Sequence, residues 1–324
     1  MKVNITTFNC ENLFNRYSFL DRPWKEKAYE KFIMASTVAS VANRKGELVT
    51  YTTTQAQRRN TALAIQEAAP DILVVNEIEN LYTLRNFNAE FLGQYFDRML
   101  SIDGNDPRGI DVGLLLRRGC KAEILEVRTH IDDPEPRQRI TRRSVANFGY
   151  LVRGALFSRD CLEVDIRLQG KVLTLLANHL KAQDAKPAVS QARRKRQAMK
   201  VAELVTSVRA AGKLPIVLGD LNSDPARTPL DASLAPLLSH PELKDPWSGD
   251  LPKDRWTHFY SSKSTVSRLD YILPHKSLTV TDKRIVRKGL STKCRQYSGP
   301  RFPNIGPDHT EASDHCPVSI VIEL

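Results

Sequence analysis

No stretch of the chain approaches the roughly 18 consecutive apolar residues that a membrane-spanning helix needs. Its five cysteines (Cys10, Cys120, Cys161, Cys294 and Cys316) are scattered, odd in number and without a C-x-x-C pair. This excludes the common zinc patterns and a disulfide framework, and leaves reduced thiols in a cytosolic protein as the expectation. The first residues read Met-Lys-Val-Asn-Ile-Thr-Thr-Phe, an alternating strand pattern rather than a charged head with an apolar run, so no secretory signal is expected. No repeat period, low-complexity tract or interior linker interrupts the sequence, and one large domain over residues 1–324 is the expectation. Acidic residues are the minority: 37 Asp and Glu stand against 48 Lys and Arg, a formal charge of +11 and a pI near 9.5. That balance favours a polyanionic partner, whether nucleic acid, an anionic surface or a phosphorylated small molecule.

What is present is an α/β pattern. Short runs rich in Val, Ile and Leu recur at 71–76, 110–116, 172–177, 214–219, 269–273 and 317–322. Each has strand length, and most end in a polar or acidic residue. Helical spacing falls between them. Over 53–69 it aligns Ala62, Ile65 and Ala69 ahead of Pro70. Over 190–211 it aligns Ala198, Val201, Ala202, Val205 and Val208 ahead of Gly212. Residues 15–50, which carry Trp24 and the turn signal at 43–46, fit this rhythm poorly. Residues 284–312 are basic and rich in Gly and Pro. Both segments read as long loops or insertions, which in compact domains tend to serve function.

Chemistry-bearing side chains punctuate the strands. Phe8-Asn9-Cys10-Glu11-Asn12 closes the first, and strict alternation would place Asn9 and Glu11 on one face. Ile72–Glu77 ends in a carboxylate and Leu175–His179 in a histidine. Ile216–Asn222 ends in Asp220 and Asn222, two residues apart. Arg268-Leu-Asp270-Tyr-Ile-Leu sets an acid inside a strand, and Ser313-Asp314-His315 precedes the last one. Any one such residue is an ordinary turn former or cap. Six of them at strand ends are different, because one edge of an α/β sheet is where such folds gather their sites. Oxygen donors with few histidines suit a hard cation, Mg²⁺ or Mn²⁺, rather than zinc. Carboxylates with two histidines also supply the acid and base of phosphodiester cleavage.

The ordered set FNCEN, VVNEIEN, NHLK, GDLNSDP, RLDYIL and SDHCPV resembles the endonuclease/exonuclease/phosphatase superfamily, over residues 5–322. That resemblance implies a four-layered α/β sandwich: two face-to-face mixed β-sheets flanked by helices, with the motif side chains at one edge. It implies a divalent-metal-dependent phosphodiesterase that uses in-line attack of water. By the same resemblance Glu77 holds the metal with Asn9 and Glu11 beside it, and Asp314 assists. Asp220 and Asn222 position the water and the scissile phosphate. His315, oriented by Asp270, bonds the phosphate, and His179 is the second active-site histidine. Either Asp220 or His315 is then the general base. Arg108, Arg159 and Lys181, within or beside motif segments, are candidate phosphate clamps.

The family does not fix the substrate. The Trp-Cys-Asp-Arg cluster of inositol phosphatases is missing, since the equivalent place reads Ser-Arg-Leu-Asp-Tyr. Arg193, Arg196 and Lys200 are spaced i, i+3, i+7 and form an expected basic ridge opposite the apolar stripe. With Lys288, Lys293, Arg295 and Arg301 it suggests a surface that tracks a nucleic-acid backbone. The expectation is therefore a nuclease acting on DNA or RNA. The same chemistry on a phospholipid or small phosphate ester is the alternative, and an inactive binding module is a third reading.

Overall fold

A computed structural model of the chain describes residues 1–14, 17–20, 29–32, 47–50, 53–106, 108–145, 149–226 and 231–324. Two mixed β-sheets make its centre. The strands are, in chain order, β1 (Lys2–Leu13), β2 (Ile72–Ile78), β3 (Phe96–Ile102), β4 (Asp111–Arg117), β5 (Glu123–Arg128), β6 (Cys161–Leu168), β7 (Lys171–His179), β8 (Leu214–Asp220), β9 (Asp270–Pro274), β10 (Thr279–Ile285) and β11 (Val318–Glu323). The first sheet has the order β10-β11-β1-β2-β4-β3, and the second β9-β8-β7-β6-β5. In the first, β1 runs parallel to β2 and antiparallel to β11. In the second, β8 runs parallel to β7 and antiparallel to β9.

Alternation along the strands explains the layering. Val3, Ile5, Ile72, Val74, Val112 and Leu114 of the first sheet meet Leu173, Leu175, Ile216, Leu218 and Ile272 of the second in one buried apolar cluster between the sheets. The intervening residues face outward onto helices. Phe8, Leu73, Val75 and Leu115 pack with Ala62, Ile65, Leu84 and Phe87, which belong to α1 (Gln55–Ala68) and α2 (Leu81–Phe91). Leu176, Val217, Tyr271 and Leu273 pack with Ala198, Val201 and Val205 of α3 (Pro187–Ala210). The expected four layers are therefore present. Strands apolar on both faces read as continuous hydrophobic runs because a sheet covers one side and a helix the other.

Several local expectations need adjustment. Ala69 is exposed and caps α1 in the left-handed conformation, so Ala68 completes the buried stripe. Within 15–50, residues 17–20, 29–32 and 47–50 are strands of a small three-stranded sheet rather than loop, while Trp24 and 43–46 lie outside the described residues. Of 284–312, the first two residues finish β10 and the rest is irregular, as expected. α1 holds that segment by an inward polar face. Gln57 Nε2 donates to Glu311 (2.9 Å), and Thr61 Oγ1 donates to the Ala312 carbonyl (2.6 Å). All five cysteines are free. Among the described residues no helix is long and apolar enough to cross a membrane.

Gly219, one residue before Asp220, sets the end of β8. Its φ is +128°, and a Cβ there would stand 1.9 Å from the carbonyl oxygen of Asn178 on β7. Gly212 also has a positive φ, +75°, but open space around it. Gly212→Ala should cost about 1–2 kcal/mol, the conformational penalty alone. Gly219→Ala should cost more than about 3 kcal/mol, because backbone must move as well. Denaturant unfolding of the two variants checks this, and equal losses would contradict the close approach.

Candidate active site

At one end of the sandwich the inward-facing apolar residues give way to polar ones on both sheets. On the second sheet the strand register aligns His179 with Asp220, and Asp220 with Asp270. These three continue the inward parity of Ala177, Leu218 and Ile272, so a row of three ionisable side chains crosses adjacent strands. On the first sheet Asn9 pairs in register with Asn76, and both continue the inward parity of Ile5 and Val74. The two rows meet. Asn9 Nδ2 donates to Asp220 Oδ2 (3.0 Å), Asn76 Oδ1 accepts from the Asp220 backbone N–H (3.1 Å), and Asn76 Nδ2 donates to the Asn178 carbonyl (3.1 Å).

The metal-ligand candidates reach this place differently. Alternation would send Glu77 outward with Leu73 and Val75. Instead the pairing of β2 with β4 slips between Asn76 and Ile78, and Glu77 is the extra residue at φ +60°. This bulge turns its carboxylate to the sheet end, where Oε2 accepts from the Asn12 backbone N–H (3.1 Å). Glu11 and Asn12 also have positive φ, +47° and +60°. Glu11 therefore joins Asn9 through left-handed backbone and not through the simple alternation expected. Its Oε2 accepts from the Asp314 backbone N–H (2.8 Å). Asn222 lies past the end of β8 at φ +55°; its N–H donates to Asp220 Oδ1 (2.9 Å) and its Nδ2 to the Leu180 carbonyl (3.1 Å).

His315 completes the group. Its Nδ1 is 2.8 Å from Asp270 Oδ2, which also accepts from Thr257 Oγ1 at 2.7 Å. Its Nε2 lies 3.8 Å from Asp220 Oδ2 and 3.9 Å from Asp314 Oδ1. His179 Nε2 approaches Asp220 Oδ2 at 3.5 Å and Glu77 Oε1 at 3.9 Å. Burial works against charge on His315, yet Asp270, Asp220 and Asp314 around it raise its pKa well above that of a free imidazole. Burial, and then the Arg159 guanidinium, push His179 well below it. The two imidazoles are thus driven in opposite directions, His315 toward the cation and His179 toward the neutral ring.

The carboxylates repel one another. Burial raises Glu11 to about 9, with Asp314 and Glu311 adding to the effect. Glu77 is raised by burial and then by Asp314. Asp220 is raised to about 7 by burial, against the pull of His315. Glu11 and Glu77 therefore face Asp314 as hard oxygen donors whose mutual repulsion a divalent cation would relieve. Among the described residues, the acids and histidines close enough together to hold one ion are His258–Asp314–His315 and Asp220–Asp270–His315, and Asp314 is the member of the expected metal set that they include.

The remaining candidates divide. Arg159 is 4% exposed, and its Nε lies 3.1 Å from Asp106 Oδ2. Its charge acts on Glu77 and His179, so it is a buried cation behind the site. Arg108 is exposed and paired with Asp106 through Nε and Nη2, both at 3.0 Å. Lys181 Nζ lies 3.1 Å from Asp184 Oδ2. The expected basic ridge is not an open basic face. Arg196 bonds Glu135 through two nitrogens (2.6 and 3.1 Å), Arg193 Nη2 donates to the Ala155 carbonyl (2.7 Å), and Lys200 lies 3.4 Å from Asp133. Acids at 133 and 135 pair with its three cations, a tertiary pairing that helical spacing cannot reveal. Lys288 and Lys293 are likewise paired, with Glu67 and Asp308, and Arg301 donates to four carbonyls of its own loop.

Four positioning residues were not expected: Asn76, Asp106, Thr257 and Ser313. Ser313 Oγ donates to the Asn9 carbonyl (2.8 Å) and accepts from the His315 N–H (2.9 Å). Asn76 has a signal in hindsight, an amide at inward parity in an otherwise apolar strand.

The comparisons agree with this fold and show the family. The model of the endonuclease/exonuclease/phosphatase family matches residues 7–315. No curated protein matches by sequence. Among solved structures, D. rerio TDP2 complexed with a single-strand DNA product is similar in fold, with 15% identity, a TM-score of 0.59, and 100% of this chain and 99% of that one covered. TDP2 from C. elegans is similar at 13% identity and a TM-score of 0.61, over 100% and 76% of the two chains. An endonuclease/exonuclease/phosphatase family protein from Bacteroides thetaiotaomicron is similar at 15% identity and 0.60, over 100% and 99%.

The carboxylate cluster makes a linkage prediction. A Glu11 pKa of about 9 in the metal-free fold, against about 4.3 in the unfolded chain, means that the native state holds the extra proton between those values. Its contribution to stability is present at low pH and is lost as pH rises through that window. In EDTA, Glu11→Gln should therefore flatten the fall in melting temperature between pH 6 and 9 (about the range set by these values). Mg²⁺ binding by the wild type should release protons, seen as a buffer-dependent heat. Parallel melting curves and a buffer-independent heat would refute the assignment.

Proposed function

The chain belongs to the endonuclease/exonuclease/phosphatase family, whose members are generally metal-dependent hydrolases of phosphodiester bonds, and we propose that it is a nuclease that cleaves such bonds in DNA or RNA. The observation that carries this is the row His179–Asp220–Asp270, capped by His315 and faced by Glu11, Glu77 and Asp314. In this reading Glu77, Glu11 and Asp314, with Asn9 beside them, hold Mg²⁺ or Mn²⁺. The ion, when bound, neutralises charge on the phosphate.

The protein's own groups divide the remaining work. Asp220, with a pKa near 7, is the general base: its protonation can change during turnover at neutral pH. The sequence left this role open between Asp220 and His315. The cationic state of His315 favours Asp220, because an imidazolium has no lone pair to accept a proton. His315 instead donates from Nε2 to a non-bridging oxygen, while Asp270 and Thr257 fix its ring. Neutral His179 can donate from Nε2 to a second oxygen without adding positive charge. Asn222 holds Asp220 Oδ1 through its backbone N–H, leaving Oδ2 toward the imidazoles. Water then attacks in line: Asp220 takes its proton as the new P–O bond forms, the P–O bond to the leaving oxygen breaks, that oxygen takes a proton from solvent, and Asp220 returns its own to solvent.

A nucleic-acid substrate is supported by the charge of +11 and by the DNA product held by a neighbour of the same fold. The internal pairing of Arg193, Arg196 and Lys200 removes the strongest local argument for a long polymer. A small phosphodiester is accordingly the second reading. One panel separates them: labelled single- and double-stranded DNA, RNA and bis-p-nitrophenyl phosphate, each with Mg²⁺, Mn²⁺ or EDTA.

Oligonucleotide cleavage that EDTA abolishes is expected. Asp220→Asn should lower kcat by about 10²–10⁴-fold and remove the rise in rate through about pH 7, to which burial raises its carboxyl. Glu77→Gln should raise the Mg²⁺ concentration needed for half-maximal rate. Hydrolysis of bis-p-nitrophenyl phosphate alone would replace the nuclease reading with the small-ester one. An Asp220→Asn variant of normal rate would remove the assigned base.

A further inference from the structure

His258 opens the short strand His258–Tyr260 and takes no part in the steps derived above. Its backbone forms an isolated bridge with His315, and the two rings stand 4.6 Å apart at 50°. His258 Nε2 lies 3.5 Å from Asp314 Oδ2, while His315 Nε2 lies 3.9 Å from Asp314 Oδ1. Two imidazoles thus address the two oxygens of one carboxylate, and one ligand atom from each residue lies within 4.8 Å of the others.

The outer nitrogens matter as much. His258 Nδ1 is 3.3 Å from Ser267 Oγ, and His315 Nδ1 is 2.8 Å from Asp270 Oδ2. Metal-binding imidazoles are commonly held in this way: an oxygen engages one ring nitrogen, fixes the tautomer and leaves the other nitrogen for the ion. The backbone brackets the arrangement. Phe259 N–H donates to the Asp314 carbonyl (2.8 Å), and Cys316 N–H donates to the Thr257 carbonyl (2.7 Å). Flanking residues on each segment are therefore tied to the other segment.

We propose that His258, Asp314 and His315 form a second cation site, selective for Zn²⁺ over Mg²⁺, that overlaps the hydrolytic site and inhibits it. Two nitrogens and one oxygen suit Zn²⁺, whereas Mg²⁺ prefers oxygen donors and gives up its waters reluctantly. A tetrahedral ion with bonds of about 2.1 Å holds its ligands roughly 3.4 Å apart. The pair at 3.5 Å already has that spacing. His315 Nε2 approaches the other oxygen, at 3.9 Å, so the carboxylate must turn to bring one oxygen to an ion that both rings hold. Zn²⁺ there displaces the proton of His315 Nε2, which passes to solvent, takes the atom assigned to the phosphate, and draws Asp314 away from Mg²⁺. His258 is then the residue that makes hydrolysis zinc-sensitive.

The test titrates Zn²⁺ into the full chain, in excess Mg²⁺, against a chromophoric chelator. The wild type should bind one Zn²⁺ at this site. His258→Asn and His258→Phe should each weaken that binding by at least about tenfold, and Phe preserves ring packing against His315 should Asn disturb the fold. His240→Asn, on another part of the surface, should leave it unchanged. In parallel, hydrolysis of bis-p-nitrophenyl phosphate, normalised to each variant's zinc-free rate, should require at least about tenfold more Zn²⁺ for inhibition in both His258 variants. Wild-type affinity in both variants, or no Zn²⁺ bound by the wild type in excess Mg²⁺, would overturn the proposal. Neither outcome depends on which phosphodiester is the natural substrate, so failure of the nuclease reading leaves the zinc result intact.

Discussion

The arrangement rests on two amides buried between the sheets. Asn9 and Asn76 are at most 1% exposed, and their partners lie mostly across the interface: Asp220 Oδ2, the Asp220 N–H and the Asn178 carbonyl. A buried amide left unpaired costs about 1–3 kcal/mol, so these bonds define the distance and register at which the sheets can meet. Apolar packing between Ile5, Val74, Leu175 and Leu218 supplies cohesion, but it is non-directional and would tolerate a slip. The asparagines would not. They fix Asp220, and through it the spacing to both histidines.

The two sheets contribute in different ways. The second offers rigid strand positions: His179, Asp220 and Asp270 stand side by side because three adjacent strands end at the same level. The first offers irregular backbone, with Glu11, Asn12 and Glu77 all at positive φ. Such residues are costly for non-glycine side chains and persist where the surroundings over-determine them. Here hydrogen bonds do so, from the Asn12 N–H to Glu77 and from the Asp314 N–H to Glu11. Each link holds a carboxylate by another segment's main chain, so the cluster is assembled by the fold despite its repulsion.

That difference explains what the sequence made legible. Alternation predicts where Asp220, His179 and Asp270 point, since their strands are regular. It predicts Asn9 as well. It fails for Glu77, which a one-residue bulge turns from the helix side, and the family motif located that carboxylate where periodicity could not. Strands such as β3, β5, β6 and β10 were not anticipated: they carry Arg98, Glu126, Asp165 and Asp282 at positions that break an apolar run. The ridge on α3 misled for the opposite reason. Helical spacing correctly grouped Arg193, Arg196 and Lys200 but carried no information about Asp133 and Glu135, which are about 60 residues away in sequence and next to it in space.

The same neighbours set the charge states of the site. His179 and His315 are both buried and both approach Asp220 Oδ2, at 3.5 and 3.8 Å, yet their environments drive them apart. His315 has Asp270 bonded to its outer nitrogen, whereas His179 Nδ1 has no partner among the described residues and Arg159 lies behind it. Burial and a guanidinium lower one imidazole, while three carboxylates raise the other against the same burial. Asp220 then sits between unlike histidines with its own proton affinity poised near neutrality. Exchange of Arg159 for a neutral residue would narrow the asymmetry without removing it, because burial remains the larger cause at His179 and three carboxylates still surround His315.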